Sequence, residues 1–265
     1  RLEMQSQLLM SASGFVSLTA SVAELNGKHD WFRDPARADA DNDGPYLTVI
    51  DDFYADPWKV RELALKLPFV TYVPPPAELV GEEVAERFRW RTGTWRSTAF
   101  VVFLGERIKH PFFGERYNPP ELRTEIEELL GERVDPDTWD TLGDYWNGAF
   151  HLLSAERKPG AIHHHYKPGD VEPRGWSGVV YLSPDAPPSA GTSIWREKKS
   201  GLCVSRYGAK FDIDASNFEL AYQVENRFNR LVLFRENVLH RSECGFGEGT
   251  AARLTQTFFF RAIRT

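Results

Sequence analysis

The sequence predicts a mainly β protein with flanking helices, built as an antiparallel sandwich or barrel. Two observations carry this. From Tyr145 onward the chain breaks into short apolar runs, "YWNGAFHLLSA", "AIHHHY", "WSGVVYLSP", "GTSIWRE", "FELAYQVE", "RLVLFREN" and "ARLTQTFFFRAI", separated by Pro, Gly, Asn and Asp. Strands in such number, joined by turn residues, mark layered antiparallel sheets. Ahead of Tyr145, two segments carry helical rather than strand periodicity. With 265 residues, 42% of them hydrophobic and 13% aromatic, the chain has material for one sizeable core.

Residues 1–46 form an N-terminal extension, partly irregular. Its stretch "QLLMSASGFVSLTASVAEL" is mildly apolar, but Ser, Gly and Thr interrupt it short of a spanning length. The acidic, turn-rich "NGKHDWFRDPARADADNDGPY" that follows is expected to be exposed. Nothing in this extension translates into chemistry.

From Leu47 to Phe69, "LTVIDDFYADPWKVRELALKLPF" opens with strand-like alternation. Asp56 then Pro57 signal a helix start, since an aspartate accepts an orphan amide hydrogen bond and proline is tolerated in the first turn. Val60, Leu63, Ala64 and Leu67 recur at helical spacing, and Pro68 ends the pattern. "YNPPELRTEIEELLGERV" repeats the grammar, with Leu122, Ile126, Leu129 and Leu130 on one face and Gly131 as the stop. Between these helices, "RFRWRTGTWRSTAFVVFLG" reads as irregular structure leading into a strand.

Charge and cysteines narrow the function. A formal charge of −6 offers no broad basic field for nucleic acid or an anionic membrane, which favours a small-molecule partner. Cys203 and Cys244 form no C-x-x-C motif and no disulfide framework, so a soluble, cytoplasmic protein is expected, with Cys244 a buried thiol. "FGEGTAAR" lacks the fingerprint of a nucleotide loop, and no Ser/His/Asp nucleophile arrangement stands out.

The chemistry concentrates in "GAIHHHYKPGD". If "AIHHHY" is a strand, period-two geometry puts His163 and His165 on one face and His164 on the other. His240, at the end of "RLVLFRENVLH", is available as a third imidazole, and three converging imidazoles suit Fe, Cu, Zn or Ni. On the triplet alone, a solvated polar turn running into Lys167, Pro168 and Gly169 is an equal alternative.

The ordered set H-x-H, "WSGVVYLSPDAPPSAGTSIW", "NRLVLFRENVLH" and "ARLTQTFFF" resembles the Fe(II)/2-oxoglutarate-dependent oxygenase superfamily. It looks most like the prolyl-hydroxylase-like branch, with bacterial relatives that open on a "DDFYADP"-like strand and helix. The resemblance covers roughly Leu47 to the C-terminus and is dense from Ala149 onward. It implies one oxygenase domain over 47–265. Within it, 47–141 is a helical and strand support region, and 142–265 is a double-stranded β-helix, a jelly-roll, cupin-like core. It also implies Fe(II) as metal, 2-oxoglutarate as cosubstrate, dioxygen as oxidant, and a small-molecule or amino-acid-like substrate whose C–H bond is oxidised. Natural-product chemistry is among its settings.

Residue by residue, the resemblance makes His163 the first metal ligand, His240 the distal ligand and Arg253 the partner of the cosubstrate's far carboxylate. A guanidinium presents a planar fork suited to that group. Arg253 stands thirteen residues after His240 in an apolar run, which argues against an ordinary surface arginine. Thr255, on the same strand face, is placed to complete the contact. Asn147 and Tyr145, from the strand before the metal strand, are candidates for contacting cosubstrate or substrate, with turn formation and packing as the competing readings.

The family's motif is H-x-D, and here His165 stands where the aspartate belongs. Three readings are open. His165 is a true third ligand, Asp170 or Glu172 bends back to supply a carboxylate, or the site has lost a ligand as related halogenases have. The first is preferred, because period-two spacing places His165 without contortion of the loop. A dioxygenase that works without 2-oxoglutarate, and a barrel that has lost iron competence, are the rival functions. His151 reads as a core or edge histidine outside the site, and Trp90, Trp95 and Arg96 as a mouth-lining loop or as packing.

Overall fold

The computed structural model describes residues 32, 45–71, 82, 93–98, 101–104, 108–111, 116–140, 147–165, 175–205 and 215–263. Trp90, Tyr145, Asp170 and Glu172 lie outside the described residues.

Strand β1 (Leu47–Ile50) leads into α1 (Pro57–Lys66), whose N-cap Asp56 accepts from the Lys59 amide at 3.1 Å. Helix α2 (Pro120–Leu130) starts on the rigid φ of its prolines and ends at Gly131, which takes a left-handed φ of 66° and donates to Glu127 O. Both buried stripes are narrower than the periodicity implies. Val60 and Ala64 are buried on α1 and Leu122, Ile126 and Leu130 on α2. Leu63 and Leu129 remain 40% and 41% exposed at the stripe edges. A short α3 (Pro136–Asp140) follows.

The main sheet combines β1, β2 (Val70–Thr71), β3 (Trp95–Ser97), β7 (Ala149–Leu153), β8 (Gly175–Tyr181), β11 (Leu231–Arg235) and β13 (Arg253–Ile263). Their order is β1-β11-β8-β13-β7-β3-β2, all antiparallel, and β6 (Arg133–Val134) pairs with the far end of β13. A second sheet runs β10 (Phe218–Val224), β9 (Thr192–Glu197), β12 (His240–Ser242). Strands β4 (Val101–Leu104) and β5 (Ile108–Pro111) form a separate hairpin. From β7 on, the chain winds back and forth between the two sheets: β7 main, His163 bridged to β12, β8 main, β9 and β10 second, β11 main, β12 second, β13 main. That winding is a double-stranded β-helix, a jelly roll with helices on one side.

The main sheet is covered on both faces, so its strands read as continuous apolar runs rather than clean alternation. On β11, Leu231 and Leu233 pack with Val60, Ala64 and Ile126, while Val232 and Phe234 pack inward with Ile194 and Val224 of the second sheet. On β13, Leu254, Phe258 and Phe260 face the helices. The same parity leaves Arg253, Thr255, Thr257 and Phe259 facing the space between the sheets.

Two expectations are corrected here. "AIHHHY" is not a full strand: among its described residues only Ile162 and His163 take part in bridges, His163 with His240. The segment ahead of Leu47 is not wholly exposed, because Phe32 and Tyr46 are buried and stack with ring centroids 4.7 Å apart in the inter-sheet cluster. Cys203 is buried there too, whereas Cys244, expected as a buried thiol, is exposed. Among the described residues, no helix is long and apolar enough to cross a membrane.

Candidate metal centre

His163 and His240 are held by backbone first. Each donates its amide to the other's carbonyl at 2.9 Å, and the His165 amide donates to Glu236 O at 2.7 Å. Three imidazoles from two distant segments thereby face one point, with their donor atoms within 4.8 Å of one another. His164, buried between His163 and His165, is not among them.

The rings are oriented for coordination. His163 Nδ1 lies 2.8 Å from Ala161 O, and His240 Nδ1 lies 2.8 Å from Val238 O. A carbonyl only accepts, so Nδ1 carries the proton in both rings and Nε2 keeps its lone pair. This is the support a metal-bound histidine ordinarily has. His165 Nε2 stands 3.1 Å from His240 Nε2. Metal–imidazole bonds of about 2.1 Å meeting at right angles put two nitrogens about 3 Å apart. Burial, then the neighbouring His163 and His165, hold His240 well below the usual histidine pKa, in the neutral form a ligand needs. A transition-metal ion with open positions fits this donor set.

Arg253 reaches across the gap between the sheets. Its Nη1 donates to Ser242 Oγ at 2.7 Å and to Glu243 O at 3.4 Å, and its Nη2 donates to Gly191 O at 3.1 Å. Its Nε is buried with no partner. Three of five guanidinium hydrogens are engaged, leaving two donors, the number a carboxylate takes in a bidentate contact. Ser242 follows His240 by two residues on the inner face of β12. Arg253 therefore docks about 7 Å along that strand from His240. Tyr181, under the guanidinium at 5.9 Å, closes this end by donating to Thr192 Oγ1 at 2.7 Å.

Thr255 is buried on the same face of β13, directly opposite Tyr181 and His151. Asn147 does not join them. Its Nδ2 donates to Trp139 O at 2.9 Å and its Oδ1 accepts from Phe259 N at 3.1 Å, so this buried amide ties α3 to β13 and is not a cosubstrate contact. Trp95 lines no mouth: it is buried in β3 and donates its indole N–H to His151 Nδ1 at 3.1 Å. Arg96 lies over the Phe69 ring at 5.8 Å.

Sequence reasoning left out two inward-facing residues, Ser177 and Tyr181, and read a third, His151, as the core or edge histidine its burial shows. His151, with Nε2 2.9 Å from Thr257 Oγ1, is pushed down to about 3 by burial and by the charge of Arg253. Parity along β7 and β8 would have found all three, once the register against β13 was known.

No family model and no curated protein matches this chain. Several solved structures are similar at low identity. The non-heme alpha ketoglutarate dependent epimerase SnoN from nogalamycin biosynthesis is 12% identical, with a TM-score of 0.47 over 92% of this chain and 81% of that one. HygX from Streptomyces hygroscopicus, crystallised with nickel, 2-oxoglutarate and hygromycin B, is 14% identical, with a TM-score of 0.42 over 82% of each chain. A Pseudomonas putida prolyl-4-hydroxylase is 16% identical, with a TM-score of 0.36 over 83% of this chain and 94% of that one. The double-stranded β-helix stands on this chain's own strand order.

Proposed function

We propose that this protein is a mononuclear non-heme iron oxygenase that uses 2-oxoglutarate and dioxygen to oxidise a C–H bond of a small-molecule or amino-acid-like substrate. One observation carries the reading: a buried guanidinium with an unpartnered Nε sits about 7 Å along β12 from a three-imidazole donor set, on the same inner face. That spacing suits a short dicarboxylate with one end at the metal and the other at Arg253.

His163, His165 and His240 would hold the iron, and Arg253, with Thr255 beside it, the far carboxylate. When bound, iron and 2-oxoglutarate supply the oxidation, with dioxygen as oxidant and succinate and carbon dioxide as co-products. The chain's own residues orient and protect. The Nδ1–H bonds of His163 and His240 keep both rings turned to the centre. Phe234 and Phe259 pack on His240 and His165 at 4.3 and 4.9 Å and keep bulk water from that side. Buried beside His151, Arg253 meets a neutral imidazole, so its positive charge remains available to an anion.

The test is anaerobic addition of Fe(II) and then 2-oxoglutarate, watching for the weak visible charge-transfer band of the chelate, with His165→Ala and Arg253→Ala alongside. A band that needs both residues is the expected result. A second reading has its own support: among the described residues no carboxylate joins the donor set, which suits a dioxygenase whose metal binds substrate directly without 2-oxoglutarate. Iron uptake with no band would favour it. Substoichiometric iron after careful reconstitution would leave a non-catalytic barrel.

A further inference from the structure

Ser177 stands on the inner face of β8, the register partner of Phe234 on β11 and of Phe259 on β13. Those two rings are the ones that pack on His240 and His165. Across the main sheet the row facing the donor set is therefore ring, hydroxyl, ring. With neighbouring strands about 4.8 Å apart, the small Ser177 leaves a gap one side chain wide between the two rings.

The Ser177 hydroxyl is buried and has no hydrogen-bond partner. A buried hydroxyl that has lost water and gained nothing is destabilising, and native chains rarely keep one without a use. Other buried serines here do find partners: Ser183 Oγ donates to Ala252 O, and Ser193 Oγ to Glu243. Alanine would fill the same place with no polar atom to satisfy. Such a hydroxyl suits a ligand that arrives with a metal.

The donor set indicates which kind of ligand. Three neutral imidazoles bring no charge, so a divalent ion held by these described donors keeps its full double charge and attracts an anion more strongly than a carboxylate-ligated centre would. Among the described residues no carboxylate joins this set: Glu243 is held by Arg241 and Ser193, and Glu236 lies against the bare Cα of Gly175. We propose that Ser177 donates a hydrogen bond to a small anion held on the open side of the metal, between the rings of Phe234 and Phe259. The proposal rests on the metal-centre reading above.

The test uses the full chain loaded with Co(II) in the absence of 2-oxoglutarate. Azide is titrated in while the visible ligand-field spectrum is followed, for the wild type and for Ser177→Ala, Ser177→Cys and Ser177→Thr. Azide should bind the loaded wild type. Ser177→Ala should weaken it about tenfold or more, as losing a hydrogen bond to a charged partner does. Ser177→Cys, which keeps the volume with a poor donor, should fall in the same direction, and Ser177→Thr should restore binding to within about threefold. Co(II) affinity should hardly move in any of them, and the melting temperature of Ser177→Ala should hold or rise because the variant buries no unsatisfied hydroxyl, which a merely structural serine would not predict alongside an azide defect. Equal azide affinity in wild type and Ser177→Ala, or no azide binding to the Co(II)-loaded wild type, overturns the role of Ser177 alone. Failure of the wild type to bind Co(II) overturns this proposal and the metal-centre reading together.

Discussion

His163 and His240 exchange both of their backbone hydrogen bonds, 2.9 Å each, so two imidazoles far apart in the chain leave neighbouring backbones side by side. The candidate metal centre is thus anchored in main-chain pairing before any side chain contributes. Loss of one ring should then spare the fold while removing the metal. His240→Ala is expected to lower Fe(II) or Co(II) affinity by at least about 100-fold, the upper end of what losing even a ligand's supporting hydrogen bond costs. Calorimetric metal titration beside a thermal melt checks this, and a folded variant with unchanged affinity would contradict it.

Arg253 is predicted to act through the shape of its head group as well as its charge. Lysine keeps the charge but lacks the fork that spans Ser242, Gly191 and an incoming carboxylate. Arg253→Lys should therefore weaken 2-oxoglutarate binding to the iron-loaded protein by about 10- to 100-fold, matching the roughly 1.5–3 kcal/mol of a charge-assisted hydrogen bond. Iron uptake itself should stay intact. Wild-type cosubstrate affinity in this variant would remove Arg253 from the site.

Acidification should destabilise the protein through His151. Its ring is buried and neutral, with a pKa pushed down to about 3, whereas in the unfolded chain it titrates near 6.5. Above pH 6.5 neither state binds the proton. Between 6.5 and about 3 only the unfolded state does, so folding loses up to about 1.4 kcal/mol per pH unit from this one residue. Urea midpoints of the wild type and His151→Gln, compared at pH 7, 6 and 5, should show a shallower fall in the variant. Parallel curves would mean that His151 does not carry the effect.

Gly191→Ala is expected to damage stability and site at once. A Cβ at this position would run into Val224 O and the Asn226 amide, and Gly191 O is the carbonyl that receives Arg253 Nη2. Overpacking of this kind costs about 1–3 kcal/mol, and the displaced carbonyl should loosen the guanidinium. A drop in denaturant midpoint together with weaker 2-oxoglutarate binding is the combined signature to measure.

Much of this was legible in the sequence. The Asp56 cap, the Gly131 stop and the strands β8, β9, β10, β11 and β13 follow from local rules, because capping, left-handed φ and short apolar runs depend on neighbours in the chain. The imidazoles of His163, His165 and His240 were named by spacing and order. Asn147 was misassigned for a physical reason: an amide in a turn before a strand reads alike whether it contacts a ligand or, as here, Trp139 and Phe259. Phe32 and Tyr46 were misjudged because an acidic, turn-rich segment hides single aromatic anchors.

By itself, then, the sequence determined the elements, each set by residues within a few positions of one another, and offered the donor types in an order legible through the resemblance. Only the tertiary structure decided what faces what. The registers of β13 against β7 and β8, and of β11 against β8, put Thr255 opposite His151 and Tyr181, and Ser177 between Phe234 and Phe259. A one-residue slip would turn every one of these side chains to the other face. That choice is made by packing both faces of the main sheet at once, against α1 and α2 on one side and the second sheet on the other.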